Sequence, residues 1–168
     1  MIGFNAKVCD GQGDFARDHT ICDSILQMDI GWLQRIEPGT LNLKISIPSS
    51  KGPSGEALGS NGVKVLDLNP SFKPHIYLDH LEIVGNTLSR RRTNSSKIGD
   101  GQFWRAKAKV DNVTEIKAYM LRRVDSGFRD RIELIADCHL RTKYGFKNGD
   151  EVVLQVFCQC CEETGVTS

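Results

Sequence analysis

Long apolar runs are missing from this 168-residue chain. None approaches the about 18 residues that a membrane-crossing helix needs. The opening MIGFNAKVCDGQGDFARD meets charged residues too early to form the apolar centre of a signal peptide, so a cytoplasmic protein with no membrane partner is expected. An excess of one charge is missing too: 22 lysines and arginines face 21 aspartates and glutamates, a net +1. That balance offers no global attraction to nucleic acid, and none is expected as a partner; a basic patch would have to be local. The six cysteines (Cys9, Cys22, Cys138, Cys158, Cys160 and Cys161) lack a second pair at zinc-finger spacing. Without a secretory leader they read as reduced thiols. No fixed-period repeat occurs.

What is present is alternation. Leu41, Leu43, Ile45 and Ile47 alternate with Asn42, Lys44 and Ser46, the period of a half-buried strand. The following SSKGPSGEALGSNG is rich in Gly, Ser and Pro and reads as a loop. HIYLDHLEIVG carries two apolar phases that slip by one residue, the mark of a bulge or tight turn. SRRRTNSSKIGDGQ, with Arg90, Arg91 and Arg92 in the 86–102 loop, separates it from FWRAKAKV, another strand. EIKAYMLRRV, IELIADC and EVVLQVFC complete the series, the last after the turn Lys147-Asn148-Gly149-Asp150. Short helices are expected at about 20–29 and 138–145. Many short strands with long glycine-rich connections favour a closed or nearly closed barrel over a doubly wound sheet. One domain is expected over 1–157, followed by a polar tail, 158–168.

Four segments carry candidate chemistry. In Asp10-Gly11-Gln12-Gly13-Asp14 two glycines let backbone amides approach an anion, although a plain tight turn has the same signature. It is no P-loop, since Gly-Lys-Ser/Thr does not follow. In Pro38-Gly39-Thr40-Leu41-Asn42-Leu43 a turn feeds a strand, and alternation puts Thr40 and Asn42 on one face. Two neutral oxygens side by side suit a magnesium ion completed by water and phosphates, or simply face solvent. Glu133 interrupts the apolar Ile132–Ala136 and must find water, a partner or a ligand; it can take a proton from a hydroxyl. Arg141, after His139 and Leu140, can reach a phosphate or cap a helix.

In this order the segments resemble the CTP-dependent riboflavin kinases best known from archaea, over about residues 5–156. The most specific likeness is Pro38-Gly39-Thr40-Leu41-Asn42-Leu43 against the family's Pro-Gly-Thr-Leu-Asn-Val. Ile132–Ala136, then Leu140-Arg141 and Gly149-Asp150, follow at the family's spacing. The resemblance implies a mainly β, six-stranded cradle-loop barrel with short helices that moves the terminal phosphoryl of CTP to the ribityl hydroxyl of riboflavin. It implies Mg2+ on Thr40 and Asn42. The nucleotide falls to Gly11, Gln12, Gly13, Asp14, Cys138, His139, Leu140 and Arg141. Flavin contacts fall to Ser126 and Glu133, and Glu133 is the implied catalytic residue. Two places differ from the family: Cys9 stands where a glycine usually opens the first turn, and Arg123-Val124-Asp125-Ser126-Gly127-Phe128 replaces an Arg-Thr-x-His stretch. The same barrel acting on another alcohol, or binding a ligand or DNA without catalysis, are the alternatives.

Overall fold

The computed structural model describes residues 1–11, 19–78, 100–111, 113–124 and 126–160. Gln12, Gly13 and Asp14, the slipped alternation after Leu78, the arginines at 90–92, Asp125 and the tail from Cys161 lie outside them. Among the described residues seven strands form one antiparallel sheet: β1 (Ile2–Val8), β2 (Leu41–Ile45), β3 (Ile76–Leu78), β4 (Gly101–Lys109), β5 (Glu115–Arg123), β6 (Arg131–Ala136) and β7 (Glu151–Val156). Their order is β3-β4-β5-β6-β2-β1-β7, and a further pairing of β4 with β7 closes six of them into a barrel. The nine-residue β4 makes this closure possible by dividing one edge. Its first residues, Gly101 to Phe103, pair with β3, whereas Ala106 to Lys109 pair with β7. Among the described residues, helices α1 (His19–Met28) and α2 (Leu140–Tyr144) flank the barrel.

Strand alternation fills the interior. Phe4, Ala6 and Val8 of β1, Leu41, Leu43 and Ile45 of β2, and Leu134 and Ala136 of β6 are all buried in one cluster. A small barrel has room for few large side chains, and the alanines 6, 106, 108, 118 and 136 leave space for Trp104. The Trp104 indole N–H donates to the Phe72 carbonyl at 3.0 Å, so its polar atom is satisfied within the core.

A second apolar layer covers part of the outer wall. Cys22 and Ile25 of α1, with Leu33 and Ile36, pack on Ile76, Phe103, Tyr119, Leu121 and Ile135. This explains why Ala118 to Leu121 are buried without a break: a strand covered on both faces loses its alternation. At the end of α1 the buried Asp29 fastens the layer. Its carboxylate accepts from Arg105 Nε at 3.0 Å and Nη2 at 2.6 Å, and from the Tyr119 hydroxyl at 2.6 Å. Across the sheet, Arg122 is 3% exposed. It donates to both Asp67 oxygens, at 2.7 and 3.0 Å, and to the Phe128 carbonyl at 2.9 Å.

Three expectations need correction. The Gly/Ser/Pro-rich loop contains short 3-10 turns over Gly59–Leu66, broken at Gly62 by a φ of 54°. A Cβ on Gly62 would fall 2.0 Å from the Arg129 carbonyl oxygen, so glycine lets the two segments touch. The strand read through Ile47 stops at Ile45, because Pro48 sits in the first positions of a 3-10 turn, Ile47–Ser49. Cys158 is disulfide-bonded, whereas Cys9, Cys138 and Cys160 carry free thiols. The close spacing brings sulfurs together, Cys160 Sγ lying 2.9 Å from Cys158 Sγ.

Two measurements test these ties. Asp67→Ala leaves the buried Arg122 charge uncompensated, so unfolding in urea should show a loss of about 3 kcal/mol. Burial raises the Asp29 pKa, but hydrogen bonds from Arg105 and Tyr119 and the charges of Arg105 and His75 outweigh it and hold the carboxyl below its ordinary value. The folded pKa is thus below the unfolded one. Its contribution is complete above the ordinary carboxylate pKa and fades as pH falls through the folded value. Tyr119→Phe should therefore lose stability relative to wild type near neutrality, and the gap should narrow on acidification below about pH 4.

Candidate functional site

Three segments distant in the chain meet on the outer wall beside β2. Pro38 and Gly39 turn the chain into β2, and the Gly39 φ of 118° is a conformation that disfavours any side chain. The turn brings Gly39 under His139: a Cβ there would sit 3.4 Å from the imidazole. Leu41 and Leu43 point inward, 2% and 0% exposed, so Thr40 and Asn42 point outward together. The Asn42 Nδ2 donates to Thr40 Oγ1 at 3.5 Å. A half-turn of the Asn42 amide would put two oxygens side by side instead.

β2 lies between β1 and β6, and this decides what stands next to Asn42. On one side the Cys9 N–H donates to the Asn42 carbonyl at 3.0 Å. On the other, Asn42 is directly opposite Glu133, and side chains so paired stand about 5 Å apart at Cβ. Gly11 packs on the Asn42 side chain. A Cβ on it would land 1.8 Å from Asn42 Nδ2, so the missing side chain lets the backbone rest against the amide. Of the turn expected to cradle an anion, Gly11 is therefore in contact with the proposed metal pair, while Gln12, Gly13 and Asp14 lie outside the described residues.

The third segment is α2. His139 caps it, its Nδ1 accepting from the Thr142 N–H at 3.4 Å and lying 2.7 Å from Thr142 Oγ1. Gly145 ends it in the left-handed conformation, φ 66°. Leu140 anchors the helix in the core at 5% exposure, so its side chain faces away from any ligand. Arg141 reaches back to the first segment: its Nη2 donates to the Cys9 carbonyl and to Asn148 Oδ1, each at 2.8 Å. Asn148 Nδ2 in turn donates to Asp10 Oδ1 at 2.8 Å. The Asn148 amide thus uses both ends to tie Arg141 to the glycine turn. The sequence grouped Asn148 and its turn with His139-Leu140-Arg141, but a bridge between residues 10 and 141 has no trace in local pattern.

Ser126 is placed apart. It lies in the β5–β6 connection, at the opposite end of β6 from His139 and Arg141, where its Oγ accepts from the Phe128 N–H at 3.3 Å. Neither Cys9 nor Cys138 is activated. Burial chiefly raises the Cys9 pKa despite the charges of Arg131 and Arg141, and burial followed by a hydrogen bond with Asp137 raises that of Cys138. Both remain thiols at neutral pH, poor nucleophiles.

Among the described residues no three of His, Cys, Asp and Glu gather to hold a metal ion. Thr40 and Asn42 are a different donor set. A hydroxyl and an amide oxygen suit a hard divalent cation that draws its other ligands from phosphates and water. No known family model matches the chain, and no curated protein matches it.

Gly11→Ala tests the contact directly. The clash falls on the end of a flexible side chain, so the protein should fold with stability within about 1 kcal/mol of wild type. Asn42 should swing off Thr40, visible as a shift of its side-chain amide resonances; unchanged resonances would show that Gly11 does not rest on Asn42.

Proposed function

We propose that the chain is a nucleotide-dependent phosphotransferase that moves the terminal phosphoryl of CTP to the ribityl hydroxyl of riboflavin, giving FMN and CDP. One observation carries the reading: Gly11 lies against Asn42, which lies beside Thr40 and opposite Glu133. The resemblance to the archaeal riboflavin kinases supplies the nucleotide and the acceptor.

In this mechanism the Gly11 backbone and the 139–141 segment hold the nucleotide, with Arg141 fixed by the Cys9 carbonyl and Asn148. Thr40 and Asn42 would hold magnesium, which when bound neutralises phosphate charge. Glu133 accepts a hydrogen bond from the attacking hydroxyl and orients it. As the hydroxyl oxygen bonds to phosphorus, the bond from phosphorus to the bridging oxygen breaks. CDP leaves with that electron pair, and the hydroxyl proton passes to Glu133. Positioning and charge neutralisation do most of the work, as in other phosphoryl transfers.

The test is to incubate the full chain with riboflavin, magnesium and each of the four nucleoside triphosphates, and to separate the products by chromatography. FMN should form, most with CTP. Asn42→Ala should lower turnover by about a hundredfold. No FMN with any nucleotide, or full turnover in Asn42→Ala, would discard the reading.

A further inference from the structure

Two residues along the strands from Asn42, three cations stand in register. Lys7 of β1 is opposite Lys44 of β2, and Lys44 is opposite Arg131 of β6. All three are exposed, while Ala6, Val8, Leu43, Ile45 and Ile132 beside them are buried, so they project from the same wall as Asn42 and Glu133. Strand rise puts this row about 6.6 Å from the Asn42–Glu133 row.

Like charges directly opposite each other on a sheet are destabilising. Here two such pairs lie side by side. The flanking carboxylates compensate little: Asp130 lies 3.7 Å from Lys44 across an exposed gap, and Glu151 is opposite Lys7 on the far side. The Arg131 guanidinium is held with its carbon 5.2 Å from the centre of the Phe128 ring, which stacking fixes in direction. Arg131 is also among the charges felt at Cys9, the neighbour of Asn42. A row of three exposed cations beside the Asn42–Glu133 row fits an anion there.

We propose that Lys44 and Arg131, with Lys7 behind them, bind the terminal phosphate of a polyphosphate whose inner phosphates rest at Gly11, Thr40 and Asn42. The location of the inner phosphates rests on the phosphotransferase reading; the cation row does not. The row gives the terminal phosphoryl a cationic neighbour, the role that arginine or lysine plays in other phosphoryl transfers.

The experiment compares the full-length wild type with Lys44→Gln/Arg131→Gln by titration calorimetry against CTP, CDP and inorganic tripolyphosphate, each with magnesium, and records thermal unfolding. The double variant should bind CTP and tripolyphosphate about tenfold more weakly or worse, the loss expected for hydrogen bonds to a charged group. Its affinity for CDP should stay within about twofold. Its melting temperature should equal or exceed that of wild type, since like-charge repulsion is relieved. The charge-preserving Lys44→Arg/Arg131→Lys should keep the preference for CTP over CDP. Equal losses for CTP and CDP, or none, would overturn the proposal, as would wild type that binds neither CTP nor tripolyphosphate. Wild type that binds tripolyphosphate through the row but no nucleotide would uphold the row and reject the kinase reading.

Discussion

The register of β2 between β1 and β6 is the constraint on which the candidate site depends. The side-chain period of a strand is two, so a slip of one residue would carry Asn42 into the core and Leu43 into water. Leu43 is fully buried, and Leu41 and Ile45 nearly so; the apolar interior therefore enforces the outward pairing. The same register puts Cys9, Asn42 and Glu133 in one row and Lys7, Lys44 and Arg131 in the next. Core packing thus decides the chemistry of the outer wall.

The wall is used unevenly. Over β3, β4 and β5 it is sealed by α1 and the segment to Ile36, with Asp29 bound to Arg105 and Tyr119 as the polar fastening. Over β1 and β2 it stays open, and there the polar and charged residues collect. Glu133 lies at the border, one strand from the covered Leu121. A carboxylate at such an edge is partly shielded from water yet within reach of a ligand.

Much of this was legible in the chain. The strict alternation around Asn42 gave β2 and its two faces, because a one-sided strand writes its burial into sequence. β1 carries an equally regular pattern, Ile2, Phe4, Ala6 and Val8, although the sequence expectations include no strand there. Burial on both faces blurred β5. The contacts of Gly11 with Asn42 and of Gly39 with His139 join residues far apart in the chain and leave no local period. The Asn148 bridge and the opposed cations left no signal, for each depends on which strands are neighbours.

Barrel closure has a consequence for biosynthesis. β7 pairs with β1 along six residues and with β4 along four, so it completes two seams at once. While a ribosome is still making those residues, the exposed edges of β1 and β4 have no partner, and the nascent polypeptide is an open, sticky sheet. Closure must await these distant contacts, which makes β7 the strand that turns a vulnerable intermediate into a sealed molecule.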